Sequence, residues 1–274
     1  MRVTQGMLDR NVLFSIAKNM DYLEVLNRQL STGMKVNTIS DDVPAAAQIL
    51  ELQRENAKIE TGLRNMEVAN AMLSMATSSF QSASASMATA KQLAVQGATG
   101  TYTDADRQAM AQEVDQILET ILGLANCRAN GEYVFSGEDF DVAPFKATRG
   151  IDGQVTAVDY VGAVTSTEAL VAPGRTTEMN LVGKTMWTDQ GDVFQGLIDL
   201  RDALEADNVP AVQAALPALE TAHDDIRVAD GLLGARQNGL QMLRNTLTRF
   251  SEINTAAISN QQDADIPEIS VEYS

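Results

Sequence analysis

Much that would mark an enzyme or a nucleic-acid binder is missing from this chain. It has one cysteine and one histidine in 274 residues. Cys127 therefore has no partner for an internal disulfide, which points to a reducing compartment or a fold that needs no covalent staples. Free cysteines are usually small core residues, and Cys127 is expected to be one, on a helix. With a single imidazole, His223, no His/Cys cluster at metal-ligand spacing can form. Its neighbours Ala222 and Ile226 predict a place on a helix surface or in a helix seam. Aromatics make up only 5% of the chain, and 20 basic residues face 37 acidic ones, for a net charge of -17. That deficit of basic side chains argues against phosphate-backbone binding, which needs clustered Lys and Arg. No run approaches the roughly 18 apolar residues of a membrane span. The opening "MRVTQGMLDRNVLFSIAKNM" lacks a basic region followed by an unbroken apolar stretch, so no cleavable signal peptide is expected.

Chemical motifs are absent too. Neither Gly-rich phosphate loop and no nucleophile elbow occurs. Asp41 and Asp42 invite a calcium reading, but the alternating oxygen ligands and closing Glu of a calcium loop do not follow. They are better read as partners of a helix N-terminus, as are Asp104 and Asp106 in "TYTDADRQ". No catalysis, metal or cofactor is expected.

What the chain does contain is helical periodicity. Leu13, Ile16, Met20, Leu23, Asn27 and Leu30 alternate spacings of three and four, predicting a helix over about 4–30. A second seam, from Ala45 through Ile49, Leu52, Asn56, Ile59, Leu63, Met66, Asn70, Leu73, Thr77 and Phe80 to Met87, lasts about six heptads. A helix over 45–96 would be roughly 75 Å long. Gly97–Thr103 reads as a turn, with Thr103 capping a third helix that should run to Asn130-Gly131. From 132 to 188, short β-type runs are punctuated by Gly and Pro. Helix returns at Asp192, with Phe194, Leu197, Arg201 and Leu204 on one face. The last helix, 211–262, carries Leu219, Ile226, Leu233, Leu240, Leu247 and Asn254 every seventh residue, and Pro217 should kink its start.

The fold class that follows is mainly α: an elongated bundle of long antiparallel coiled-coil-like helices with a small inserted β-rich domain. The two long helices should lie side by side, with Asn56, Asn70, Arg236 and Asn254 setting register. The expected segments are an N-terminal helix and joint (1–42), two bundle parts (43–135 and 191–274) and the β-rich insertion (136–190).

The joint "LSTGMKVNTISDD", Leu30–Asp42, interrupts two strong helical patterns with polar residues. Gly33 would stop the first helix, and Ser40, Asp41 and Asp42 would start the next, with Pro44 in its first turn. The stretch would let the segment before it hinge against the bundle after it. The joint resembles the flagellin-type pattern in which Leu-Ser-Ser/Thr-Gly, an Asn and Asp-Asp lie between two helices. "AKQLAVQGATGTYTDADRQAMAQEVDQIL" resembles the second signature of that superfamily, and "ANGEYVFSG" resembles the exit from it. "MRVTQGML" and the Pro of "DDVPAAA" resemble the hook-associated protein 3 family more than flagellin itself.

The resemblance implies a structural protein of the bacterial flagellum, exported unfolded by the type III route with the help of an export chaperone. It would form a junction ring of about eleven subunits between the first hook-associated protein and the flagellin filament, outside the cell, without inserting in a membrane. A flagellin filament subunit is the alternative, and a secreted coiled-coil effector a more distant one. On the family's motifs, Leu30, Ser31, Gly33, Asn37, Asp41, Asp42, Gln92, Leu93, Ala94, Val95 and Gln96 become candidate assembly residues. Met34-Lys35 stands where a basic pair is commoner. Members of the family continue past "DADIP" into a helix that packs on the N-terminal one, whereas this chain stops at "EISVEYS". The seam over 1–30 is therefore expected to lack a partner in this chain, and to be disordered in the monomer or packed on another copy.

Overall fold

The structure, a computed structural model, describes residues 5–189 and 191–273. Among them, helices α1 (Gln5–Thr32), α2 (Val43–Gly97) and α3 (Asp104–Ala125) come first. Six short strands follow: β1 (Arg128–Ala129), β2 (Glu132–Tyr133), β3 (Phe145–Arg149), β4 (Val155–Tyr160), β5 (Glu168–Ala172) and β6 (Arg175–Glu178). Then come α4 (Gly183–Trp187), α5 (Val193–Glu205), α6 (Val209–Gln262) and α7 (Ile266–Tyr273). The fold is mainly α, and the strands pair as three separate antiparallel hairpins, β1-β2, β3-β4 and β5-β6. Contacts divide the chain into two compact units, one of residues 1–60 with 246–274, the other of residues 61–245. These lines differ from the four expected segments, because the hairpins share a core with the helices around them.

In the larger unit, α2 and α6 run antiparallel. Glu67 meets Arg244 at 3.2 Å, Ser74 meets Gln237 at 3.1 Å, and Lys91 meets Glu220 at 3.3 Å. The heptad seams face inward: Met66, Leu73, Phe80 and Met87 on α2 are buried, as are Leu219, Ile226, Leu233 and Leu240 on α6. α6 runs through Pro217 as one continuous helix. Five of the thirteen aromatics gather in one place. Trp187 stacks on Phe80, centroids 4.6 Å apart, with Phe135, Phe145 and Phe194 around them. β3 packs on α3, β4 packs on α5, and α3 packs on α5. Gathering the large rings at the meeting of hairpins and helices gives this unit its largest fully buried apolar side chains, Trp187, Phe80, Phe135 and Phe194.

Two buried arginines fix the remaining polar geometry. Arg201 lies on the apolar face of α5 and satisfies its guanidinium with Asp115 at 3.0 Å, the Val155 carbonyl at 2.7 Å and Asp202 at 2.7 Å. Arg107 bonds Asp207 and the Thr99 carbonyl. Thr103 caps α3 as expected, in a reciprocal box with Asp106. The end of α3 is different from the expectation. It stops at Ala125, because the Asn126 side-chain amide bonds both the N–H and the C=O of Phe145 at 2.9 Å. Asn130 and Gly131 take left-handed backbone, φ 53° and 91°, and form the tip of β1-β2. Asn-Gly is a hairpin turn here, since a two-residue loop of this hand needs positive φ at both positions. Cys127 accordingly lies between helix and hairpin, half-buried, and burial pushes its thiol up.

Asn70 is exposed and Arg236 pairs with Glu178 of β6, so neither belongs to the α2–α6 seam as expected. His223 is half-buried in that seam, with Nε2 2.9 Å from Ser84 Oγ.

The smaller unit joins α1, the start of α2, the end of α6 and α7. Asn254 Nδ2 donates to Asn56 Oδ1 at 3.1 Å, Asn56 Nδ2 donates to Thr255 Oγ1 at 3.3 Å, and Gln261 donates to Gln48 at 2.7 Å. The seam expected to lack a partner stays open, although α1 itself has a neighbour. α7 packs on α1, Tyr22 donates to Glu272 at 2.6 Å, and Leu26 and Ile269 are both buried. The proposed seam residues Leu13, Ile16, Met20, Leu23 and Leu30 stay exposed, Leu13 at 66%. Leu26, outside that seam, is buried. The opening Met1–Thr4, part of the family motif, lies outside the described residues.

Candidate functional site

The joint between α1 and α2 is the most elaborately bonded loop of the smaller unit. α1 ends as its sequence predicts: the Gly33 N–H bonds the Gln29 carbonyl at 2.8 Å, and Gly33 adopts φ +72°. A side chain there would be strained, so glycine is the inexpensive choice. Thr32 Oγ1 accepts from the Met34 N–H at 3.2 Å and from Asn37 Nδ2 at 2.8 Å.

Asp41 and Asp42 have separate tasks. Asp42 is the N-cap of α2, its Oδ1 accepting from the Ala45 N–H at 3.0 Å. Asp41 does not cap α2, as had been expected. Its Oδ2 accepts from the Asn37 and Thr38 N–H groups at 2.9 and 2.8 Å, and its Oδ1 from Arg28 Nη2 at 2.8 Å. The carboxylate thus closes the loop on itself and ties it to α1. The Thr38 and Asn37 N–H groups, with a smaller contribution from Arg28, hold its carboxyl below the ordinary value. Arg28 is the cation paired with Asp41, whereas Lys35 Nζ donates to the Asn260 carbonyl at 3.5 Å.

The joint is also stitched to the end of α6. Lys35 N–H donates to the Gln262 carbonyl at 2.7 Å, and Ala264 N–H donates to the Gly33 carbonyl at 2.9 Å. Met34 and Asp263 form an antiparallel bridge. Val36 is buried with Ala46 and Ile49, and Ala45 and Ile258 pack against them. Beside this cluster lies a cavity of about 200 Å³ lined by residues such as Thr38, Ile39, Leu50 and Gln53. Ile39 is 62% exposed at its edge. Of the joint candidates, Leu30, Ser31, Asn37, Asp41 and Asp42 are exposed, and Gly33 is half-buried.

The second set, Gln92–Gln96, belongs to the larger unit near the end of α2. Leu93 and Ala94 are buried there, Gln92 and Val95 are exposed, and Gln96 is half-buried. Leu93 and Ala94 therefore serve the core, leaving Gln92, Val95 and Gln96 as surface positions. Arg28, Thr38 and Gln262 are joint residues that sequence reasoning missed. Arg28 was legible only as a charge one turn before the helix stop, and Gln262 carried no signal at all.

The joint offers hydrogen bonds and exposed apolar groups, with nothing set to move a proton or activate a nucleophile. Among the described residues no group of three or more His, Cys, Asp or Glu could hold a metal ion, and no helix is long and apolar enough to cross a membrane.

Comparison with known proteins completes the description. The family model for the bacterial flagellin N-terminal helical region matches residues 3–139. The flagellar hook-associated protein 3 of Salmonella typhimurium is 26% identical, covering 93% of this chain and 82% of its own length. A solved flagellar hook-associated protein from Vibrio parahaemolyticus shares the fold at a TM-score of 0.71 and 24% identity, over 81% of this chain and all of that one (100%). The flagellar junction protein of Legionella pneumophila shares it at 0.64 and 14% identity, over 79% of this chain and 100% of that one.

Proposed function

Because this chain belongs to the bacterial flagellin N-terminal helical region family, we propose that it is a structural subunit of the flagellum, at the junction between hook and filament. The joint carries the reading. It supports assembly because its motif residues close on themselves through Asp41 and still leave Ser31, Asn37, Ile39 and Asp42 exposed to a neighbour. The 26% identity to a hook-associated protein 3 supports the junction over the filament.

On this reading the chain assembles into a ring of about eleven copies by heterologous contacts that close on themselves. The ring meets the first hook-associated protein on one side and flagellin on the other, after export outside the cell with a chaperone's help. The work is mechanical: packed helices carry load from hook to filament, and no reaction is catalysed.

Deletion of the gene in its own host tests the proposal. Hooks without filaments, flagellin shed into the medium, and filaments restored by the gene in trans are the expected results. Antibody against the chain should label a single band where the filament leaves the hook. Label along the whole filament would identify a flagellin instead, and normal filaments in the deletion strain would overturn both.

A further inference from the structure

The only imidazole of the chain lies between its two long helices. His223 is half-buried on α6, and its Nε2 sits 2.9 Å from Ser84 Oγ on α2. The surroundings are apolar: Ala83 and Met87 on α2, and Ala222 and Ile226 on α6, are all buried. The Ser84 hydroxyl can donate to a neutral imidazole or accept from a charged one, so this hydrogen bond is available in both states. What separates the two states is charge.

The charged groups facing His223 are few. On α2, no ionisable residue occurs between Glu67 and Lys91. Lys91 presents a cation, and α6 adds Glu220, Asp224 and Arg227. Each carboxylate is already engaged: Glu220 pairs with Lys91 at 3.3 Å, and Asp224 with Arg227 at 3.5 Å. An imidazolium would be a third positive charge in a partly desolvated seam with no carboxylate of its own. Burial first, then Lys91 and Arg227, hold the His223 pKa below its ordinary 6.5, with Asp224 opposing them more weakly.

We infer that the His223–Ser84 pair is an acid-sensitive latch in the larger unit, closed with a neutral imidazole and loosened between α2 and α6 when His223 takes up a proton. The direction follows from linkage. With the folded-state pKa depressed, the unfolded chain binds the proton first. The latch's full contribution is therefore present above about pH 6.5, and it is lost as pH falls through that value toward the folded one. Burial raises the Asp192 carboxyl toward this window, but Asp192 is unchanged in a chain altered only at His223, so the comparison isolates the imidazole.

The test compares the native chain with His223→Gln, which keeps a hydrogen-bonding side chain but cannot take the charge. Thermal unfolding is followed by Trp187 emission, which reports on the larger unit. Between about pH 7.5 and 5, the native midpoint is expected to fall by at least roughly 2 °C more than that of H223Q. Parallel pH profiles would overturn the latch. Should H223Q not fold, the imidazole carbon-bound proton is titrated by NMR in the native chain, alongside amide exchange near Ser84 and His223. Titration below 6.5 with protection lost over the same range supports the latch. Titration at or above 6.5, or unchanged protection, overturns it.

Discussion

Arg28 and Asp41 form an ion pair of 2.8 Å across the joint, while the other carboxylate oxygen of Asp41 holds the N–H groups of Asn37 and Thr38. One side chain thus bridges the end of a helix and the loop that leaves it. Asp41→Asn keeps the size and one acceptor oxygen but loses the charge. Hydrogen exchange should speed up at residues 37 and 38 in this variant, with α2 beyond residue 50 unaffected. The same loss is expected in the native chain on acidification. The Asp41 pKa is lowered, so its contribution is present above the ordinary 3.8 and disappears as pH falls through the folded value. Unchanged exchange at both residues would show that the backbone alone holds the loop.

The Asn56–Asn254 bond predicts that the double substitution undoes the loss caused by a single one. Asn56→Leu alone leaves the half-buried Asn254 amide without its acceptor and should cost about 1–3 kcal/mol. Asn56→Leu with Asn254→Leu removes both amides and should recover that loss, at the expense of register specificity. Denaturant unfolding of the four members of the cycle measures the coupling. Additive effects would mean that the pair is not a pair in solution.

Trp187 should report the integrity of the larger unit. It is fully buried and stacked on Phe80, so its emission should be blue-shifted in the native chain and move to the red on unfolding. Phe80→Ala is expected to cost about 3–5 kcal/mol and to shift the native emission toward the red. Native-like emission and stability in that variant would contradict the packing.

Two glycines of helices should respond oppositely to alanine. A Cβ on Gly62 of α2 would overlap the Val171 carbonyl oxygen of β5, whereas nothing lies within 4 Å of one on Gly231 of α6. Gly231→Ala should therefore stabilise by up to about 1 kcal/mol, the ordinary helix preference. Gly62→Ala should destabilise despite the same preference, because a backbone atom cannot yield as a side chain can. Thermal melts of the two variants decide the matter, and equal signs would rule out the close approach of α2 to β5.

Local signals were legible where one residue's chemistry suffices. Gly33, Thr103 with Asp106, and Asp192 all do what their types suggest at helix ends. Asn130-Gly131 was visible as a break but not as a hairpin tip, because helix stops and two-residue turns ask for the same backbone. Asp41 and Asp42 are chemically identical, and only the folded loop separates the N-cap from the carboxylate that closes the joint. The pairing of Arg201 with Asp115 and the Val155 carbonyl depends on a strand and two helices meeting.

Sequence alone determined that this is a chain of long helices with a single His and a single Cys, since heptad spacing and composition are properties of the chain itself. It also carried the flagellin-type motifs on either side of α2. The tertiary structure decided which polar residues are partners. Asn56 found Asn254, Arg28 found Asp41, and His223 found Ser84, each across a distance in sequence that periodicity does not encode. It also decided that Leu26 and Ile269 would be buried while Leu13 and Met20 would not. Burial depends on what packs against a face, and a seam read from one helix cannot name its partner.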